Sequence, residues 1–182
     1  MDAELIGRAQ RGDEEAFASL AVAVGDRLHA VSHRILRDTD LAEDATQQAL
    51  LTIWRDLPKL RDPARFDAWS YRLLVRACYA EARRTRRWTP NLHLLPADEP
   101  TDSEGLGMVV DRDQLERGFR RLSIDHRAVV VLHHYLDLPL DEVADVLGVP
   151  VGTVRSRLHH AMRGLRAALD ADARPTAREA LR

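Results

Sequence analysis

The segment 138–166 limits the possible folds of this chain most strongly, because it predicts two helices joined by a turn of about four residues. Apolar residues recur at helical spacing in both halves of the segment. They are Leu140, Val143, Ala144 and Leu147 in the first half, and Val154, Leu158, Ala161 and Leu165 in the second. Between the halves, Gly148 is typical of a helix end and Pro150 of a helix start. The segment therefore predicts a helix-turn-helix.

The outer face of the second helix is polar and mostly basic. Its candidate contact residues are Thr153, Arg155, Ser156, Arg157, His159 and His160. In helix-turn-helix proteins the second helix enters the major groove of DNA, where such side chains reach phosphates and base edges. The alternative is an ordinary helical hairpin with a solvated face, but a face that is cationic rather than mixed in charge favours DNA.

The composition indicates an all-helical protein. Only 5% of the 182 residues are aromatic, glycine and proline are scarce, and long segments have helical rather than alternating periodicity. No run of about 18 apolar residues and no leader pattern is present, so we expect no membrane span and a cytoplasmic location. The single cysteine, Cys78, excludes an internal disulfide and a multi-cysteine zinc site.

The net charge of −2 conceals an uneven distribution along the chain. Residues 61–87 carry eight arginines and only three acidic residues. Residues 88–111 carry five acidic residues, three prolines and two glycines without periodicity, which predicts a flexible acidic linker. We therefore expect two small helical domains, 1–87 and 112–170, joined by this linker and followed by a fraying tail, 171–182.

Four helices are predicted before residue 60. The first should end at Gly12, the second should run from Asp13 to Val24, and the third should span 26–37. The fourth should be capped by Asp40 and closed by Pro58.

The outer face of this fourth helix mixes acidic, amide and apolar side chains. It carries Asp44, Gln47, Gln48 and Leu51, with Arg55 at its end. A solvated helix face would explain the polar residues, whereas a protein-binding face would also explain why a leucine lies among them. The spacing leaves both interpretations open.

Basic and aromatic residues share one face of the next predicted helix. A narrow stripe contains Arg65, Trp69, Arg72, Arg76, Tyr79, Arg83 and Arg87, with Arg84 close to its end. Guanidinium groups bind phosphates and aromatic rings stack on unpaired bases, so the stripe predicts a surface for single-stranded nucleic acid. The alternative is that Trp69 and Tyr79 are partly buried and the arginines only keep the helix soluble. The near absence of acidic i, i+4 partners favours nucleic acid.

Catalytic and metal-binding patterns do not occur in the sequence. The pairs His133–His134 and His159–His160 are adjacent, point in different directions on a helix, and lack a third ligand at metal spacing. No glycine-rich phosphate loop or nucleophile motif is present. We expect a protein that is not an enzyme and holds no metal or other cofactor.

In their order and spacing, these motifs resemble the extracytoplasmic-function group of bacterial sigma factors, which keep only the second and fourth conserved sigma domains. The resemblance covers about residues 2–169. It rests on RGDEEAF, DLAEDATQQALLTIW, the stretch from FDAWSYRLL to EARRTRR, the acidic linker and LPLDEVADVLGVPVGTVRSRLHHA.

The resemblance implies a non-catalytic subunit that joins core RNA polymerase and recognises promoter DNA, with an anti-sigma factor as a possible further partner. It places Asp44, Gln47, Gln48, Leu51 and Trp54 against the clamp helices of the largest polymerase subunit. It assigns the minus-10 element to Arg61, Arg65, Phe66, Trp69, Arg72, Arg76, Arg83, Arg84 and Arg87. The minus-35 element falls to the outer face of the second helix of the helix-turn-helix.

A second hypothesis is a stand-alone transcriptional regulator that uses only the helix-turn-helix, with the N-terminal domain as a sensor or dimerisation domain. The basic and aromatic stripe argues against it, because a sensor domain has no need of such a surface. Binding to core polymerase separates the two hypotheses.

Overall fold

The computed structural model describes residues 2–88 and 115–172, and every regular element in these ranges is helical. The N-terminal range contains α1 (Ala3–Gln10), α2 (Glu14–Leu36), α3 (Thr39–Asp56) and α4 (Phe66–Trp88), with 3-10 turns at Leu57–Lys59 and Pro63–Arg65. The C-terminal range contains α5 (115–121), α6 (Ile124–Val130), α7 (Leu140–Leu147) and α8 (Val151–Asp172). The predicted all-α fold class is confirmed. None of the described helices is long and apolar enough to cross a membrane.

Aspartates begin the first three helices. The carboxylates of Asp2, Asp13 and Asp38 each accept a hydrogen bond of 2.9 Å from a backbone N–H in the first turn. The prediction that Asp40 caps α3 is wrong by two residues, because Asp38 has the extended backbone of a capping residue and Asp40 already lies in the first turn.

Helix α2 is continuous where two helices were expected. Gly25 does not end it, since Gly25 keeps a helical backbone and the described glycines with positive φ are Gly12 and Gly148. The buried Leu20, Val24 and Leu28 form one apolar stripe across the expected break. Burying these side chains outweighs the roughly 1 kcal/mol that a glycine costs inside a helix.

Helix α3 packs on α2 and α4 through small side chains. Ala42, Ala45 and Ala49 are buried, which lets the helix backbones approach closely. The fully buried Ser32 hydroxyl on α2 lies 2.9 Å from the Thr46 hydroxyl of α3. These contacts fix which face of α3 remains in solvent.

The C-terminal range contains the predicted helix-turn-helix. Ser123 caps α6, which continues into a π turn at Val131–Tyr135. The Nδ1 of His133 donates a hydrogen bond of 2.8 Å to the Leu138 carbonyl and so holds the chain between this turn and α7. Gly148 ends α7 with a φ of +67°, and α8 begins three residues later.

The two halves pack against each other through a shared core. One apolar cluster joins N-terminal residues such as Leu28 and Leu74 to C-terminal residues such as Val129 and Val143. Helix α4 packs on α7, and α2 packs on α6. The domain boundaries stay predictions, since the proposed linker beyond Trp88 and the tail beyond Asp172 lie outside the described residues.

Candidate protein and nucleic-acid interfaces

The outer face of α3 exposes apolar side chains among polar ones. We call Asp44, Gln47, Gln48, Leu51 and Trp54 the α3 surface; all five residues are exposed. Leu51 is 64% exposed and Trp54 is 39% exposed. Apart from Leu51 and Leu115, the described leucines are buried or partly buried, so the position of Leu51 has no explanation in the packing of the described chain itself.

Phe17 supports this surface from α2. Its ring centroid lies 4.5 Å from that of Trp54, with the ring planes tilted by 58°. Phe17 lies at helical spacing from the buried Leu20 and Val24 and packs against the core, but its side chain is only partly buried. Periodicity could not find this role, because it depends on how α2 packs beside α3.

The loop between α3 and α4 is held on one side by α1 and is exposed to solvent on the other. The Gln10 side chain donates hydrogen bonds to the carbonyls of Leu57 (3.2 Å) and Leu60 (2.7 Å). The Asp62 carboxylate accepts a hydrogen bond of 3.0 Å from the Ala64 N–H. Arg61 and Arg65 are exposed on this ordered loop. The two arginines are thus presented to solvent on a backbone that hydrogen bonds already hold in place. Little conformational entropy of the loop is therefore lost when they bind a ligand.

Phe66 differs from the other residues assigned to minus-10 DNA, because its side chain is 0% exposed. Its ring lies 6.1 Å, centroid to centroid, from Trp69. Phe66 is therefore part of the core in this structure, and its ring packs against Trp69 from the core side.

Helix α4 carries the rest of the basic and aromatic stripe. We call Arg65, Trp69, Arg72, Arg76, Tyr79, Arg83 and Arg87 the α4 stripe. Arg65, Arg76 and Arg83 are exposed, whereas Trp69, Arg72 and Tyr79 are partly buried. The backbone of Arg87 lies in α4, but its side chain is outside the described residues. Covered and exposed positions thus alternate along the stripe, and Arg76 is exposed between the partly buried Arg72 and Tyr79.

Acidic residues from other elements face several of these cations. Arg65 lies 3.7 Å from the Asp145 carboxylate on α7, and the Arg84 guanidinium lies 2.8 Å from both Asp44 and Glu81. Arg84 has no acidic i, i+4 partner, as expected, yet two carboxylates at other positions pair with it. The sequence count considered i, i+4 positions, whereas Asp44 comes from α3 and Glu81 is three residues away.

Tyr79 is partly buried and has Asp125 of α6 as a neighbour. Burial, together with the negative charge of Asp125 on α6, raises the pKa of Tyr79 above its ordinary value. The same Asp125 carboxylate lies 3.4 Å from the Arg157 guanidinium of α8. One carboxylate is thus associated with Tyr79 of the α4 stripe and with Arg157 of the minus-35 set.

We call Thr153, Arg155, Ser156, Arg157, His159 and His160 the α8 surface. Arg155, Ser156, His159 and His160 are exposed, and Thr153 and Arg157 are partly buried. The Ser156 hydroxyl donates a 3.2 Å hydrogen bond to the Thr153 carbonyl, and the His160 ring stacks on His126 at 6.4 Å. Arg163 and Arg166 extend the basic face along a cleft beside Met162.

The described residues contain no cluster of three or more His, Cys, Asp or Glu side chains able to hold a metal ion. Cys78 is buried, and burial raises its pKa to about 12, so its thiol stays protonated at neutral pH.

Comparison with known proteins defines the class. Sigma-70 region 2 matches residues 20–89, which contain the α3 surface and the α4 stripe, and Sigma-70 region 4 matches residues 112–165, which contain the α8 surface. The ECF RNA polymerase sigma factor SigL of Mycobacterium tuberculosis is 31% identical over 166 residues, covering 87% of this chain and 93% of SigL.

Two further proteins are similar over nearly their whole length. The RNA polymerase sigma-H factor of Pseudomonas aeruginosa is 28% identical, with 98% of this chain and 97% of that protein covered. The solved structure of CnrH in complex with the cytosolic domain of CnrY is 26% identical, with a TM-score of 0.66 over 94% of this chain and 99% of that chain. The chain belongs to the extracytoplasmic-function group of RNA polymerase sigma factors.

Proposed function

We propose that this chain binds core RNA polymerase and directs it to specific promoters as a sigma factor. The observation that carries the proposal is that an exposed apolar surface on α3 accompanies two basic surfaces on α4 and α8. A protein that only reads DNA has no use for an exposed Leu51 and Trp54, whereas a subunit that must also join a protein does. Because core polymerase is the partner, the chain acts in the cytoplasm.

The α3 surface is the polymerase-binding site of this proposal. Stable interfaces have an apolar or aromatic centre that becomes fully desolvated, surrounded by polar groups that keep water out. Leu51 and Trp54 supply such a centre, and Asp44, Gln47 and Gln48 supply the polar groups. The family resemblance assigns the clamp helices of the largest subunit as the partner.

The α4 stripe and the loop before it hold the melted minus-10 element. Opening a duplex costs a few kcal/mol, and each base captured on an aromatic or guanidinium plane returns about 1–3 kcal/mol. Arg61, Arg65, Trp69, Arg72 and Arg76 are the groups nearest the loop that perform this capture. Arg83, Arg84 and Arg87 contact phosphates and strengthen the salt dependence of binding.

The α8 surface reads the minus-35 element. Arg155, Ser156, His159 and His160 are exposed on the second helix of a helix-turn-helix, which is the helix that enters the major groove. Thr153 and Arg157 complete the set. An arginine on a guanine edge is worth about 1–3 kcal/mol of discrimination against the wrong base. An anti-sigma factor is a further partner expected from the resemblance.

The test is transcription with purified core polymerase. The chain should co-purify with core polymerase and, on a linear promoter library, produce start sites that share sequence elements near minus-10 and minus-35. Core polymerase alone provides the control. If the chain binds DNA but neither binds core polymerase nor supports initiation, it is instead a stand-alone helix-turn-helix regulator.

A further inference from the structure

Helix α1 contains none of the residues assigned above to polymerase or DNA, yet the loop between α3 and α4 is built on it. The buried Ile6 and Ala9 pack α1 into the apolar core. Near the end of α1, the Arg8 side chain donates a hydrogen bond of 2.9 Å to the Asp13 carboxylate, which also caps α2. These contacts fix the position of α1 beside α2, so α1 can serve as a support for the loop.

Gln10 is the side chain that connects α1 to the loop. Its amide Nε2 donates hydrogen bonds to the Leu57 carbonyl at 3.2 Å and to the Leu60 carbonyl at 2.7 Å. Leu57 begins the 3-10 turn that follows α3, and Leu60 ends it. Because both acceptors are carbonyl oxygens, only the NH₂ end of the amide can face them. Gln10 therefore uses both of its N–H groups to hold the two ends of one turn.

The loop residues beyond this turn are those assigned to the minus-10 element. Arg61 comes directly after the turn, and Arg65 ends a second 3-10 turn four residues later. The Asp62 carbonyl accepts a hydrogen bond of 3.0 Å from the Arg65 N–H and so links the two arginines. Residues 57–65 thus form consecutive hydrogen-bonded turns, and Gln10 ties the first of them to α1.

We propose that Gln10 is a positioning residue for the minus-10 element, which sets the base selectivity of the loop without touching DNA. A loop held in one conformation presents Arg61 and Arg65 in one geometry, so an unsuitable base leaves their guanidinium groups poorly paired. A loop that is free to move adapts to several bases and discriminates less between them. The inference rests on the proposed function of the loop, and it adds a residue from a helix outside the three surfaces defined above.

The test is Gln10→Met, because methionine has a similar length and helix propensity but donates no hydrogen bond. The control is Ala3→Met, which places the same side chain on the exposed start of α1. Each variant is assembled with core polymerase and titrated with promoter fragments that have a single-stranded minus-10 segment. One fragment carries the sequence selected by the parent, and the others carry one changed base each.

Loss of the two hydrogen bonds should lower the selectivity of the test variant. The ratio of its affinities for the selected and the changed fragments should fall about three- to tenfold, whereas Ala3→Met should keep the ratio of the parent. Affinity for core polymerase and for a double-stranded minus-35 fragment should stay unchanged in both variants. An equal loss of affinity for every fragment would overturn the proposal, because Gln10 would then only stabilise the fold.

Hydrogen exchange of the free chain, followed by mass spectrometry, gives a second readout that does not depend on DNA. Backbone amides of residues 60–66 should exchange faster in Gln10→Met than in the parent and in Ala3→Met, while those of α2 and α8 keep their rates. Unchanged exchange in the loop, or faster exchange with an unchanged selectivity, would contradict the proposal. Transcription by the parent with core polymerase is measured in parallel. Failure of the sigma-factor function would appear there as missing initiation, whereas failure of this inference would appear as a Gln10 variant as selective as the parent.

Discussion

The α3 surface and the α4 stripe lie on neighbouring helices of the same half, but they differ in how many of their side chains already contact other residues of this chain. On α3, Leu51 stays largely exposed, and Trp54 has the Phe17 ring beside it. In the α4 stripe, Arg65 and Tyr79 already have carboxylates from the C-terminal half as neighbours. The α3 surface lacks a partner for Leu51 within the described chain, whereas part of the α4 stripe already contacts carboxylates of the chain itself.

This difference distinguishes two kinds of binding. A protein that covers Leu51 and Trp54 only removes apolar surface from water, which is favourable without displacing any group of this chain. A nucleic acid that reaches the α4 stripe must replace internal carboxylates, so its net gain is the difference between two sets of ionic contacts. Binding at α3 should therefore be insensitive to the packing of the two halves against each other, and binding at α4 should depend on it.

The largest expected effect comes from Phe66, where the stripe meets the core. Phe66→Ala should lower the free energy of unfolding by about 3–5 kcal/mol, because it removes a fully buried ring and leaves a cavity. Urea unfolding followed by circular dichroism measures the change. The exposed neighbour provides the control: Arg65→Ala should change stability by about 0.5 kcal/mol or less. A Phe66 variant of normal stability that fails only in promoter opening would instead return Phe66 to the DNA surface.

Local patterns were sufficient to predict most of the fold. The spacing of Val143, Ala144 and Val154 and the turn at Gly148 gave the helix-turn-helix, because helix periodicity and a left-handed C-cap are properties of neighbouring residues. The expected break at Gly25 was wrong, because burial along the whole of α2 overrides a local propensity.

The candidate surfaces were predictable only in part. Exposure of Leu51 followed from its position opposite the buried Ala49 and Ile53. Contacts between distant segments did not follow, since nothing in the periodicity pairs Arg84 with Asp44 or Arg65 with Asp145. The contact between the two halves also could not be predicted, because it depends on how apolar faces of separate segments fit together.

The next largest effect tests the exposed side of the comparison. Leu51→Glu should reduce affinity for core polymerase by about 100-fold, since a charge at the centre of an apolar interface must be desolvated. Stability should change by about 0.5 kcal/mol or less, because Leu51 is 64% exposed. Fluorescence titration with core polymerase measures the affinity.

A matched control for this change exists on α2. Val22 is 79% exposed and lies outside the α3 surface, so Val22→Glu introduces the same charge without touching the proposed interface. Its affinity for core polymerase should equal that of the parent. Equal losses in both variants would mean that Leu51 has no special place in the interface.

A smaller effect is expected in the middle of the α4 stripe. Arg76 is exposed, and loss of its guanidinium plane should remove about 1–3 kcal/mol of base capture. Arg76→Ala should therefore slow promoter opening detected with permanganate by about five- to a hundredfold, while closed-complex affinity stays nearly unchanged. A premelted bubble template should restore transcription. Without that rescue, the stripe is only a solvated face.

The smallest effect concerns the point where the two surfaces meet. Arg84 pairs with Asp44 of the α3 surface at 2.8 Å, while the described residues supply no ion pair to the neighbouring exposed Arg83. If both arginines bind phosphates, Arg83→Ala should lower the slope of log affinity against log salt concentration by about 0.7 on single strands. Arg84→Ala should lower this slope by less. In the parent, a phosphate that binds Arg84 replaces the Asp44 carboxylate, so binding there exchanges one ion pair for another and releases fewer counterions. The Asp44 contact itself is exposed, so affinity of the Arg84 variant for core polymerase should change by no more than about fivefold.

Equal slopes for the two variants, measured with the same oligonucleotide in a potassium chloride series, would show that the internal ion pair does not compete with DNA. A larger decrease in slope for Arg84→Ala than for Arg83→Ala would reverse the comparison. Arg84, although paired with Asp44, would then be the more important phosphate contact.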